Sequence, residues 1–207
     1  MLNLLEGVTW LGHASFKIVA PEGVIYIDPW ELKSHEPADL ILITHDHYDH
    51  LSPDDVQRIS KPDTTIVTIA AAAAKLKGDV RKVKAGDKLT VKGMQIEAVP
   101  AYNLNKPNHP KAAGHVGFIL TAGGRRIYHA GDTDVIPEMA NIKADVALLP
   151  VGGTYTMTAS EAANVANRIQ PKVAVPMHWG TLVGSRADAE LFRRACKVPV
   201  EILEREK

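Results

Sequence analysis

Between Thr44 and His50 the chain reads Thr-His-Asp-His-Tyr-Asp-His, three imidazoles and two carboxylates directly after the apolar run Leu40-Ile41-Leu42-Ile43. Imidazole nitrogen and carboxylate oxygen are the ligands that suit zinc and its first-row neighbours. His45 and His47 are two apart, so an extended backbone sends both to one side, where they can share an ion. Asp49 and His50 follow once the chain has turned, which sets them up to hold a second ion beside the first. The bland alternative is a polar turn leading into a helix, since Ser52 is a good N-cap and Pro53 fits the first helical position.

Further donors stand just past other strand-like runs. Tyr128-His129-Ala130-Gly131-Asp132-Thr133-Asp134 ends a strand with a glycine that allows a tight turn, and a carboxylate at Asp132 could bridge two ions. Val173-Ala174-Val175-Pro176-Met177-His178 repeats the arrangement, so that His178 could complete the second ion. His13 follows Gly12 after the first strand, and Asp28 ends the third. Asp28 reads either as a ligand or as the acceptor that orients a ligating histidine. His13 is open between the same two roles. His129 reads as a structural core histidine and His35 as a solvated loop residue.

The elements that must position these groups are mostly short strands: 8–10, 16–19, 24–27, 40–44, 66–68, 88–91, 94–99, 116–120, 125–128, 146–149 and 173–175. Lys92-Gly93 and Gly123-Gly124 each separate two such runs and read as hairpin tips. Helices are expected after Ser52, over 70–77 up to Gly78, after Thr158 and after Ser185. Thr158 with Glu161 forms a capping box, and Pro171 enforces the end of that helix. The one long irregular segment runs from Ala101 to Gly114, and long loops in compact domains are often functional. Many strands with helices at both margins predict an α+β fold with two sheets face to face and helices outside.

At 207 residues the chain reads as a single domain, 1–207. Lysine plus arginine equals aspartate plus glutamate, 24 against 24, so no global basic field favours nucleic acid. Cys196 is the single cysteine and cannot form an intramolecular disulfide. Its place in a helical stretch predicts a core or helix-face residue. The longest near-apolar run, Ile66 to Ala74, is far below a membrane span, and 1–10 lack a basic cluster. A soluble, cytoplasmic protein is expected, with no membrane partner and with homo-oligomerisation left open.

His45, His47, Asp49 and His50 together form His-x-His-x-Asp-His, and with Trp10-Leu11-Gly12-His13-Ala14-Ser15-Phe16, Ile27-Asp28-Pro29, 128–133 and Pro176-Met177-His178-Trp179-Gly180 the chain resembles the metallo-β-lactamase superfamily. The similarity is to the branch containing ascorbate-6-phosphate lactonase and small metal-dependent hydrolases. The phospholipase D that cleaves N-acylphosphatidylethanolamine shares parts of the pattern. The resemblance implies a four-layer αββα sandwich with the site at one edge between the sheets. It also implies that His45 and His47 hold a first ion, Asp49, His50 and His178 a second, and that Asp132 bridges. The branch often carries Pro-Ala-aromatic-His where this chain reads Pro100-Ala101-Tyr102-Asn103, so an amide stands in place of the first ion's third imidazole. The same loop offers His109, the preferred substitute, and His115; without either, a single tight ion is expected.

The chemistry implied is hydrolysis by a metal-activated hydroxide, with one or two divalent ions, zinc first and manganese, nickel or iron as alternatives. Asp49 is the expected ligand and general base. The substrate expected is a small ester, lactone or phosphodiester, and Lys106, His109 and Lys111 on the long loop could favour an anionic one. Two competing readings are a regulatory or vestigial metal-binding protein and a thioesterase of the glyoxalase II kind. A di-iron redox role fits poorly, because a glutamate would stand at His47 and a flavin domain is absent.

Overall fold

Strand order follows chain order in both halves of the molecule. The computed structural model describes residues 3–206. The first sheet runs β1 (Val8–Gly12), β2 (Ser15–Ala20), β3 (Gly23–Ile27), β4 (Ala38–Ile43), β5 (Ser60–Thr68) and β6 (Asp79–Lys82), each beside the next. The second is built likewise from β7 (Lys88–Val91), β8 (Met94–Pro100), β9 (Val116–Ala122), β10 (Arg125–His129), β11 (Val146–Pro150) and β12 (Val173–Met177). Each sheet starts with antiparallel hairpins and ends with parallel neighbours.

That switch sets where the helices go. Parallel neighbours need a crossover, and in this chain α1 (Pro53–Ile59), α2 (Ala70–Ala73) and α3 (Ala159–Ile169) provide three of them. A crossover helix must cover the sheet face that the other sheet does not, which yields the αββα sandwich. β4 and β11 are accordingly apolar on both faces and almost wholly buried. A fourth helix, α4 (Arg186–Ala195), packs on α3 and β12.

Local chemistry fixes the turns as read. Lys92 and Gly93 have φ of 48° and 84°, and Gly123 and Gly124 have 57° and 70°, the paired positive values of a tight hairpin. The capping box is complete, with Thr158 N–H donating to Glu161 and Glu161 N–H to Thr158 Oγ1. Three elements differ from the sequence expectation, the first being β5, which begins at Ser60 where the strand was expected only over 66–68. The helix at Ala70 stops at Ala73, short of Gly78, and Ile69 at its start offers no side-chain cap. Residues 79–82, too charged to read as a strand, form β6 at the sheet margin, where one side needs no apolar partner. Cys196 caps the end of α4 half-buried, and burial pushes its thiol up to about 11.

Strand direction gathers the candidate residues. β1, β3 and β4 point the same way, as do β8, β10, β11 and β12. His13, Asp28, the 44–50 segment, Asn103, Asp132 and His178 therefore all follow strand ends, and they converge on one edge of the sandwich.

Candidate metal centre

Three of these residues are the first after a strand and leave it in the left-handed backbone region: His13, Asp28 and His178, with φ of 51°, 48° and 59°. Asp and His tolerate that region better than most residues, and such conformations cluster at functional sites. The sharp exit turns each side chain inward, and all three are fully buried.

Asp28 supports two histidines at once. Its Oδ1 accepts from Thr44 N–H and its Oδ2 from both Thr44 Oγ1 and His50 Nδ1, each at 2.7 Å. Thr44 has one hydroxyl hydrogen, spent on Asp28, so its oxygen accepts from His45 Nδ1 at 2.9 Å. A neutral imidazole carries one N–H, so His45 presents a bare Nε2 to the interior, and His50 does so once its imidazolium gives up the Nε2 proton. Asp28 is thus a support for the histidines, one of the two roles open to it from sequence.

His109 is set in the same way by Asn103. The amide oxygen accepts from His109 Nδ1 at 3.0 Å and from its backbone N–H at 3.2 Å, while Asn103 Nδ2 donates to Tyr155 O at 3.0 Å. The amide therefore buttresses a loop histidine. His45 Nε2 lies 3.0 Å from His47 Nδ1, which lies 3.2 Å from His109 Nε2. Three ring nitrogens gathered at such distances suit a shared cation. His115 stacks on the His45 ring, 4.7 Å between centroids, and offers a nitrogen within 4.8 Å of those of His45 and His109. His109 lines the open cavity above the site, and His115 does not.

A second group assembles alongside. Nitrogens of His13, His50 and His178 and an oxygen of Asp49 all lie within 4.8 Å of one another. His13 Nε2 is 3.0 Å from Asp49 Oδ2, and its ring packs 3.9 Å from that of His178. Asp132 faces both groups: its Oδ1 is 3.3 Å from His50 Nε2, and its Oδ2 is 3.0 Å from His178 Nε2 and 3.4 Å from His109 Nε2.

The electrostatics favour positive charge at this point. His50 Nε2, Asp132 Oδ1 and His178 Nε2 are buried without a well-formed hydrogen bond. Buried polar atoms left so are costly unless something satisfies them. Burial alone would strip the proton from His50, but Asp132 and Asp28 outweigh it and hold the imidazolium well above its ordinary range. The space between those carboxylates favours a cation. Burial keeps His45 well below its ordinary value, and His109 below its own, so both are neutral donors at neutral pH. Burial opposes ionisation of Asp49, yet the hydrogen bond from His13 and the charge of His50 bring it down to about 2. The donors and their tautomers fit one or two divalent ions.

The remaining candidates lie elsewhere. His129 is a core residue whose Nε2 meets Ala14 O at 2.8 Å, and His35 is exposed. Lys106 is paired with Asp134, and Lys111 with Glu138 at 3.1 Å, so the loop lysines are engaged away from the centre. The cavity over the centre measures about 760 Å³. Its lining includes Tyr48, Tyr155 and Leu182, which sequence reading passed over. Tyr48 lies inside the histidine cluster, but nothing in the local pattern distinguishes Tyr155 or Leu182 from ordinary loop residues.

The chain has relatives among known proteins in both sequence and fold. The profile of the beta-lactamase superfamily domain matches residues 7–178. A relative from Caldivirga maquilingensis, named UPF0173 metal-dependent hydrolase, is 36% identical over 89% of this chain and 86% of its own. The crystal structure of a putative metal-dependent hydrolase from Parabacteroides distasonis superposes with a TM-score of 0.86 at 38% identity, covering 96% of this chain and 93% of that one. Igni18, a metallo hydrolase from Ignicoccus hospitalis, follows at 0.79 and 26%, covering 97% and 95%. The chain belongs to the metallo-β-lactamase superfamily, among its metal-dependent hydrolases.

Proposed function

We propose that this centre hydrolyses a small ester, lactone or phosphodiester, with His45, His47 and His109 holding one divalent ion, Asp49, His50 and His178 a second, and Asp132 shared between them. The observation that carries the reading is the hydrogen-bond pattern: Asp28, through Thr44 and directly, and Asn103 occupy the Nδ1 atoms of His45, His50 and His109 and turn their Nε2 atoms into one space. Divalent ions bound there would supply Lewis acidity, polarising the scissile bond and lowering the pKa of water. The protein's own part is to position and to move a proton. Asp49 Oδ2, which accepts from His13 and lies 3.7 Å from His50 Nε2, would face the second ion, and Oδ1 is left to accept a proton from the attacking water and return it to the leaving oxygen. Zinc is the first choice of ion, with manganese, nickel and iron as alternatives for the same donor set.

The test is a panel of esters, lactones, phosphodiesters and thioesters, assayed with the metal-stripped protein and after zinc, manganese or nickel is restored. Metal-dependent turnover that Asp49→Ala abolishes is expected. A chain that takes up metal and turns over nothing would be a binding or regulatory protein, and the hydrolytic reading would fall.

A further inference from the structure

We infer that the substrate is an uncharged acyl compound, an ester or lactone bearing an apolar or aromatic group, and that Tyr48, Tyr155 and Leu182 hold that group. The inference rests on the hydrolase reading and narrows it.

Large apolar side chains exposed to water are individually unremarkable, but a cluster around a cavity marks a binding surface. Tyr48 is 68% exposed, Tyr155 40% and Leu182 44%, and all three line the cavity over the metal centre. They come from three separate loops, those following β4, β11 and β12, so their meeting is a product of the fold. Their placement is also tied to the centre. Tyr48 meets the edge of Trp30, 6.2 Å between ring centroids, and Trp30 in turn packs edge-on against His13 at 5.5 Å. The Asn103 amide that orients His109 also holds the Tyr155 carbonyl. An apolar group on the rim would therefore stand in fixed register with a carbonyl at the centre. The cavity is of the size that takes a drug-sized ligand.

Charge argues against a phosphorylated substrate. Lys75 is the one cation lining the cavity among the described residues, and its ammonium is spent on Asp46, at 2.8 Å from both the backbone oxygen and the carboxylate. Lys106 and Lys111 are paired with Asp134 and Glu138. The helix that begins at the cavity edge carries Asp54 and Asp55 in its first turn, which offset the positive end of its dipole. A phosphate reaching past the ions would meet Asp46 and no free lysine or arginine.

The test compares matched substrates with one leaving group on the zinc-loaded protein: acetyl, butyryl and phenylacetyl esters, a phenylacetyl ester with a para-carboxylate, and a phenyl phosphodiester. The phenylacetyl ester is expected to show the highest kcat/KM, with its carboxylated twin lower by about tenfold. Tyr48→Ala, Tyr155→Ala and Leu182→Ser should each lower the ratio of kcat/KM for the phenylacetyl ester to that for the acetyl ester several-fold. Leu191→Ser, on an exposed face of α4, should change neither. Calorimetric binding of phenylacetohydroxamate against its para-carboxylate analogue reads the same preference without turnover. Preference for the carboxylated ester, its hydroxamate or the phosphodiester, or rim variants that leave selectivity intact, would overturn the inference. Aryl preference in binding with no turnover of any substrate would instead retire the hydrolase reading and leave the apolar site standing.

Discussion

At the scale of single residues, the side chains that support the proposed ligands decide how the ligands behave. Asp28 fixes His50 directly and His45 through Thr44, so one carboxylate sets the tautomer of a donor in each half of the centre. Asp28→Asn can still fill the space, but its amide presents hydrogens where acceptors are needed. It is expected to weaken zinc binding by roughly 10–100-fold, read by chelator competition, and to affect both ions. Asn103→Ala should weaken binding to a similar extent at the first ion only, because its contacts are with His109 and Tyr155. Equal loss of both ions in Asn103→Ala, or no loss in Asp28→Asn, would contradict these assignments. The six-residue pattern of His45 to His50 was plain in the sequence because its donors are neighbours. Asn103 reads there as a gap in the ligand set; that it holds His109 depends on a loop closure that no spacing rule reveals.

At the scale of elements, the centre depends on strands ending in register and on backbones that approach closely. Gly152, just past β11, leaves no room for a side chain: a Cβ there would lie 2.5 Å from His178 O and 2.8 Å from Val183 Cγ2. Gly152→Ala is expected to push the His178 turn outward, costing about 1–3 kcal/mol of stability and weakening the second ion, measured by denaturant unfolding and zinc titration. Thr158→Ala is the matched control. It removes the cap of α3 and should cost about 1 kcal/mol while leaving zinc affinity unchanged. If both variants lose stability and neither loses zinc, the contact between Gly152 and His178 has no bearing on the centre. Most strands were legible because apolar runs and glycine turns bound them on both sides. β6 was not, since Asp79, Arg81 and Lys82 give an edge strand the composition of a loop, and the helix at Ala70 was overextended because alanine propensity alone does not supply a terminus.

At the scale of the whole molecule, the folded state holds many histidines away from protons, and this ties stability to pH. The sandwich itself was visible mainly through resemblance to a family, because alternation and turns predict two sheets without saying which loops meet. What the meeting produces is a buried cluster of imidazoles. Burial lowers His13, His45, His109 and His129 from the ordinary value of about 6.5, and brings His115 down to about 4. The unfolded chain takes up protons at these sites near pH 6.5 and the folded chain does not, so the unfolded state binds more protons in that window and stability rises with pH there. His50 runs the other way: its folded value is raised against the pull of burial by Asp132 and Asp28, so its contribution is full below about 6.5 and fades as pH climbs through its folded value. Five lowered groups oppose one raised group, and the metal-stripped protein is expected to lose stability steadily from pH 7 toward pH 4. Urea unfolding of the chelator-treated protein at pH 7.5, 6 and 5 reads that slope, and His115→Gln should flatten it, most of all between about 6.5 and 4. Added zinc should steepen the slope, because the ion binds only the deprotonated donors and protons compete for them. Stability that held constant or rose toward pH 5 would mean that the five lowered histidines are charged in the folded state, and the neutral, inward-facing donors proposed at His45 and His109 would have to be abandoned.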